Sequence, residues 1–549
     1  ALIDGRPRRN DPYTGRDDDV DAAQPESLFS IQFFPAYLAA VPSRALGLSA
    51  SEVMPVISVF SAFFTALALF WLIVSVTGDD YFAFVGTLVV VVGSAAIIGL
   101  GAINGFYENG VAYPFFPFLR RYIPSVAFPF LFAFFACLWN GLSAANDRRR
   151  GVFSAAASLC FAALVFSYFY VWTAAAAVFF GLMLFVLIFK TENQRRDLFF
   201  LAITGAFCLL ALAPYWFFLS NRDETMDKAQ LLVYTRQPDL LRGIAVIGYF
   251  VLTATAFALW RKHLALSDRK AFFIAALALS PLLVFNQQVL TARSLQPFHY
   301  EFYVINYVVL LAIVLICAVF RQNFFDRKNV FARILLAFIG IAAIVWGGIE
   351  ARETTVFWDS MNVQRDEAMP VNRRLRELAN GDVEIAKRET TLNLEPLQAD
   401  SQPTVAPQAL LWARHQHVFA GLHSWEESKR RYYQMLYYSD LDEKWLRASL
   451  SGCKNIEACM ALFGWDRFNA RLSANARPLT APEIAAEVQN FARYVREFAE
   501  REARTPLLSY VVVDADAGDS LENLDRWYQR DEGENLGRYT LYRVRLREN

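Results

Sequence analysis

The sequence predicts a polytopic α-helical membrane protein with a C-terminal soluble α/β domain. Three observations predict it. Of 549 residues, 55% are hydrophobic and 19% charged, whereas a soluble globular chain is about 25% charged. The charge is unevenly spread, with 36 charged residues in 31–349, about 11%, against 59 in 350–549, about 30%. Apolar runs of membrane-spanning length also recur through the first region and are joined by loops of alternating basicity. The formal net charge is zero, so no global field recruits nucleic acid.

The chain opens with an acidic stretch, Asp11-Pro12-Tyr13 and Asp17-Asp18-Asp19-Val20-Asp21, followed by an amphipathic segment, Phe29–Leu48, suited to a membrane interface. Residues 1–51 form this first loop, 52–349 the membrane region and 350–549 the soluble domain. A helix needs about 20 apolar residues to cross about 30 Å of hydrocarbon. That ruler gives ten spans, near 53–77, 81–103, 124–143, 152–168, 171–189, 198–219, 242–260, 271–288, 302–320 and 332–349. The run 152–189 is too long for one span, and the aromatic cluster Tyr168–Trp172 marks where it meets the interface.

Orientation follows from the short loops. Arg148–Arg150, Lys190 with Arg195–Arg196, Arg261–Lys262 with Arg269–Lys270, and Arg321 with Arg327–Lys328 fall in alternate loops, which are therefore cytoplasmic. The first loop, 104–123, 220–241, 289–301 and the tail then face the other side. Only Arg120 and Arg121 run against the bias. Because residues 1–51 start outside, a further helix is expected upstream.

The tail has helical periodicity in 366–379, 424–450 and 481–503. Strand patterns appear at 408–413, 507–513 and 539–545. Residues 388–407, rich in Thr, Pro, Gln and Asp, read as a surface loop. His415, His417 and His423 lack the Cys and carboxylate spacing of a metal site and read as surface or structural histidines. Cys453 and Cys459 are placed to pair in an oxidising compartment. Cys137, Cys160, Cys208 and Cys317 lie in apolar runs.

Polar chemistry gathers on the external side. In the first loop Asp11, Asp17, Asp18 and Asp19 are the candidate catalytic carboxylates, and so dense a cluster also suits a divalent cation. The loop 104–123 carries Glu108, Arg120 and Arg121, and arginine forks bind phosphate bidentately. The most informative segment, Asn286–Glu301, packs Arg293, Gln296, His299 and Glu301 where a plain connector needs only turn residues, and Asn306 follows in the next helix.

Taken together, these features resemble the GT-C superfamily of integral-membrane glycosyltransferases, and the segments Asn10–Tyr13 and Leu295–Glu301 look like those of uncharacterised bacterial members. The resemblance covers the Asp-bearing loop 1–51, the paired short spans 152–189, the loop 220–241 and the tail. It implies a bacterial inner-membrane enzyme of inverting mechanism, taking a polyprenyl-phosphate sugar to a glycan, lipid or protein acceptor among membrane lipids. It also implies a catalytic acid soon after the first helix, which places it at Asp4, Asp11, Asp17–Asp19 or upstream. Arg120, Arg121 or Arg293 would stabilise the leaving phosphate, His299 and Glu301 would orient substrate, and a lipid-monophosphate donor needs no metal. The competing classes are a transporter or flippase, a glycan polymerase and a non-catalytic scaffold. A transporter predicts ionisable residues within the spans, and those interiors are nearly free of charge.

Overall fold

The computed structural model describes residues 31–107, 118, 122–191, 193–221, 232–295, 297–324, 329–379, 389–414, 424–464, 467, 477–516 and 521–548. They belong to two compact units, one built from 31–220 and 234–358, the other on 359–549.

The first unit is helical throughout its core. Its main helices are α1 (Phe33–Leu46), α2 (Ala50–Thr77), α3 (Asp80–Gly93), α4 (Ala127–Ser143), α5 (Asp147–Val165) and α6 (Phe169–Ile188). They continue as α7 (Gln194–Ser220), α8 (Gly243–Trp260), α9 (Arg269–Asn286), α10 (Pro297–Tyr303), α11 (Ile305–Phe324) and α12 (Val330–Leu378). Among the described residues eight helices are long and apolar enough to cross a membrane, not the ten expected.

The two shortfalls have different causes. The span expected at 81–103 stops as a helix at Gly93, followed by a 3-10 turn at Ala96–Ile98 and left-handed Gly99 and Gly101 (φ +69° and +70°). The span expected at 152–168 lies within α5. That helix is 19 residues long but opens on Asp147-Arg148-Arg149-Arg150, too charged for hydrocarbon. Between α5 and α6 the chain breaks at 166–168, within the run that was too long for one helix. The last span also does not end near 349, because α12 continues unbroken to Leu378.

Short connections make successive helices antiparallel, so the loops sort to two ends. One end collects Arg148–Arg150, Lys190, Arg195, Arg196, Arg261, Lys262, Arg269, Lys270 and Arg321 and is called the basic end below. The opposite end carries α1, the broken segment 94–106, the turn 166–168, and residues 234–242 and 287–304. Helix α4 is the most enclosed of the long apolar helices, with 78% of its apolar window buried, while α12 has 22%. Exposed Phe60, Phe63, Phe199, Phe207, Phe250 and Phe338 give the unit an apolar exterior, as expected of a membrane-embedded bundle.

Small residues let the helices approach closely. A Cβ on Gly181 would lie 3.5 Å from the Ala276 backbone, and one on Gly248 would lie 2.5 Å from the Ala278 carbonyl oxygen. Helix association in lipid depends on such packing because lipid tails are as apolar as the side chains.

The second unit holds a sheet with spatial order β2–β1–β3–β6–β4. Its strands are β1 (Thr390–Asn393), β2 (Ala409–Leu410), β3 (Leu508–Asp514), β4 (Tyr528–Arg530), β5 (Glu534–Leu536) and β6 (Tyr539–Leu546). Strands β1, β2 and β3 are parallel, β6 is antiparallel to β3, and β5 pairs with β6. One face buries Leu392, Val511 and Val513 with Tyr432, Leu436, Val488 and Phe491. The other packs Tyr510, Val512 and Leu541 on Ala368, Val371 and Leu375 of α12.

The expected surface loop at 388–407 is overturned. It contains β1, which pairs on both sides, and a buried amide network. In it Asn393 donates to Gln402 at 2.7 Å and Gln398 to Asn372 at 2.6 Å. Its polar composition concealed a buried strand because hydrogen bonds from the amide nitrogens carry part of the cost of burying these side chains.

Cys453 and Cys459 form a disulfide that staples the start of the helix Ile456–Phe463. That helix carries Glu457, whose carboxyl is pushed up to about 7 by burial, with Asp400 and Glu395 adding to the rise and Arg414 opposing it.

Two stability predictions follow from this packing. Gly248→Leu meets backbone that cannot move aside, so thermal unfolding of the purified protein should show a loss of about 1–3 kcal/mol. Glu457 has its acidity weakened in the folded state, so its contribution falls as pH rises from about 4.5 towards 7. Glu457→Gln should therefore raise unfolding stability by about 2 kcal/mol at pH 8 and leave it unchanged at pH 4. Equal effects at the two pH values would contradict this.

Candidate functional site

At the opposite end of the first unit, one guanidinium organises a polar cluster. Arg242, the N-cap of α8, donates from Nε to Asp239 Oδ2 at 2.5 Å and from Nη1 to Glu301 Oε2 at 3.1 Å. Its guanidinium also stands 5.2 Å from the centroid of the Phe285 ring. The three charged side chains are 16–25% exposed, reachable from outside yet largely shielded from water. Asn286, at the end of α9, fixes Asp239 from both sides, accepting its N–H at 2.7 Å and donating to its carbonyl at 2.9 Å. Arg236 Nη1 donates to the carbonyls of Val289 and Leu290, and Gln288 to that of Gln237. Residues 236–242 and 286–290 are thereby tied together.

Beside this cluster lies an aromatic box. His299 sits 4.7 Å from the Tyr170 ring, 4.1 Å from Phe298 and 5.5 Å from Tyr303. Tyr300 hydrogen-bonds Thr173 at 2.8 Å. Trp172 packs edge-on to Tyr215, and its buried Nε1 has no hydrogen-bond partner. Flat apolar faces with polar rims of this kind suit a ligand that presents both CH surfaces and hydroxyls.

A groove of about 900 Å³ lies between α1, α2, α4 and α5. Leu38, Val126 and Phe130 line it at the opposite end, and Ile57 to Val74 of α2 line its length, about 26 Å at 1.5 Å per residue. Ser61 is the sole hydroxyl among its lining residues. Packed side chains stand between the groove and the aromatic box: Phe130 meets Phe34, the Phe34 N–H donates to the Phe166 carbonyl at 3.1 Å, and the Tyr168 ring is tilted against Tyr170.

Of the residues expected to carry function, Asp11, Asp17, Asp18, Asp19, Glu108, Arg120, Arg121 and Gln296 lie outside the described residues, as do His415, His417 and His423. Glu301 and His299 share α10 but turn to different neighbours, Glu301 to Arg242 and His299 to the rings. Arg293 is exposed, with its backbone fixed by Thr291 and Gln287. Asn306 is buried and is tied to the carbonyls of Ser94 and Phe302 rather than to this cluster. Sequence reading missed Asp239 and Arg242, although an Asp and an Arg three residues apart just before an apolar span is a readable signal. Among the described residues no three or more His, Cys, Asp or Glu side chains gather as metal ligands.

No protein-family model matches the chain, and no curated protein matches it. Any functional reading therefore rests on its own residues.

Removing the organising guanidinium leaves two shielded carboxylates facing one another. Arg242→Met should cost about 2–4 kcal/mol in thermal unfolding. Adding Glu301→Gln should return about 1 kcal/mol or more of that loss, and strict additivity of the two changes would contradict the pairing.

Proposed function

We propose that this chain is a membrane glycosyltransferase of the GT-C kind, transferring a sugar from a polyprenyl-phosphate donor to a glycan, lipid or protein acceptor. The observation that carries the reading is the apolar groove, which runs down the bundle from the end that holds Arg242, Asp239, Glu301 and the aromatic box. A donor of this class has a long apolar chain, an anionic phosphate and a sugar. The groove suits the chain, exposed Arg293 the phosphate, and the rings about His299 the sugar. A carboxylate, from the first loop or Glu301, would take the proton of the acceptor hydroxyl as its oxygen attacks the anomeric carbon. The bond from that carbon to the phosphate oxygen breaks, and polyprenyl phosphate leaves with its charge met by arginine.

Orientation has two independent supports. The basic loops share one end, as cytoplasmic loops do, and the second unit contains a disulfide, which persists in an oxidising compartment. The first supports an extracytoplasmic opposite end, and the second supports an extracytoplasmic second unit.

One observation favours a second reading, ion-coupled transport. Helix α3 breaks at Gly93, and Glu350, 2% exposed, turns its carboxylate to the broken segment, accepting the Ala102 N–H at 3.1 Å. Broken helices with buried carboxylates mark ion paths in transporters.

The test supplies radiolabelled polyprenyl-phosphate sugars to membranes carrying the wild type, Arg293→Ala, Arg242→Gln or the triple Asp17–Asp19→Ala variant. The wild type should move label into glycan, lipid or protein. Each arginine variant, expressed at normal level, should lose about a hundredfold. A fall in the aspartate variant would locate the base in the first loop. Folded wild type that moves no label from any donor, yet equilibrates a fluorescent lipid or an ion across proteoliposomes, would replace this reading with transport.

A further inference from the structure

We infer that the Arg150–Asp197–Arg269 cluster at the basic end is a binding site for the phosphate headgroup of an anionic membrane lipid. The inference needs only that the first unit is membrane-embedded, and it stands whether or not the chain transfers sugar.

Asp197 has no exposed surface. Its Oδ1 accepts from Arg150 Nη2 at 3.3 Å and Arg269 Nη2 at 3.1 Å, and its Oδ2 accepts from Arg269 Nε at 2.8 Å and Thr191 Oγ1 at 3.0 Å. Two oxygens offer about four acceptor positions, so the carboxylate is saturated. One negative charge is nevertheless shared between two guanidiniums, which leaves a net positive charge. Donors also remain. Arg150, whose side chain is 8% exposed, uses Nε and Nη2 on Ala144, Leu142 and Asp197, while its enclosed Nη1 has no hydrogen-bond partner among the described residues. A buried, unpaired guanidinium nitrogen is costly, and an anion with several oxygens relieves that cost.

The Arg269 side chain is 23% exposed and that of Arg150 8%, so the guanidinium pair runs from the surface inward. Exposed Arg149 and Arg195, in the first turns of α5 and α7, and Lys190 in the turn before α7 raise the local concentration of anions. A guanidinium pair matches phosphate geometry better than it matches chloride. The cluster sits where helices of an apolar bundle reach their ends, and basic pockets between helices are a recurrent means of holding acidic lipids. A phospholipid is therefore the favoured source of the phosphate.

The test is lipid retention by the purified whole protein, read by native mass spectrometry and thermal unfolding after exposure to phosphatidylglycerol, phosphatidylcholine or inorganic phosphate. The wild type should retain phosphatidylglycerol in preference to phosphatidylcholine. Arg269→Gln should weaken that retention about fivefold, while the neighbouring Lys270→Gln leaves it unchanged. Asp197→Asn, which removes the competing charge, should tighten it. If Asp197→Asn does not fold, Arg269→Lys replaces it and should retain the lipid better than Arg269→Gln. Equal retention of the two lipids, or equal losses in Arg269→Gln and Lys270→Gln, would overturn the site. Stabilisation by inorganic phosphate equal to that by phosphatidylglycerol would overturn the lipid as its source.

Discussion

A fully buried carboxylate holds the basic end of the bundle together. Asp197 joins α7 to α5 through Arg150, to α9 through Arg269 and to the α6–α7 turn through Thr191. Arg150 also takes the carbonyls of Leu142 and Ala144 at the end of α4. Arg321 with Asp79, and Gln322 with the Thr77 carbonyl, tie α11 to the α2–α3 turn in the same way. Such pairs are costly to desolvate, but once formed they make any other helix register costlier still, because a shifted helix would strand a charge. Between the two ends no comparable polar tie is needed. There the bundle relies on shape, with Gly181 against Ala276 and Gly248 against Ala278.

The membrane region was legible from composition because lipid imposes a single rule, that backbone groups be satisfied within each helix over about 20 apolar residues. The rule identifies long spans but does not register where one breaks. Gly93 and Gly101 sit in a run apolar enough to read as one helix, and only the left-handed backbone at Gly101, packed against the Glu350 carboxylate, shows why it bends. The arginines that marked topology turned out to have a second use. Arg150 and Arg269 read as loop charges, yet both reach the buried Asp197, a pairing across three helices that no local spacing encodes.

The second unit was read less accurately for a related reason. Its amphipathic helices and the strands Leu508–Asp514 and Tyr539–Leu546 carry periodic apolar side chains. Strand Thr390–Asn393 does not, because its buried Thr390, Thr391 and Asn393 are polar and reside among buried amides, of which Asn393 donates to Gln402. At the candidate site the same logic applies. Glu301 and His299 were visible as unusual residues in a connector, whereas Arg242 was missed, and its partner Glu301 lies 59 residues away in the chain.

The early stop of α3 has a consequence for the surrounding bilayer. Fourteen helical residues reach only about 21 Å, well short of about 30 Å of hydrocarbon. The turn that follows is itself apolar, and its backbone finds partners inside the protein: the Ser94 carbonyl accepts from Asn306 at 3.0 Å and the Ala102 N–H donates to Glu350 at 3.1 Å. A thicker or thinner bilayer would therefore be felt on this flank at a bend held by side chains from other helices rather than along a continuous span.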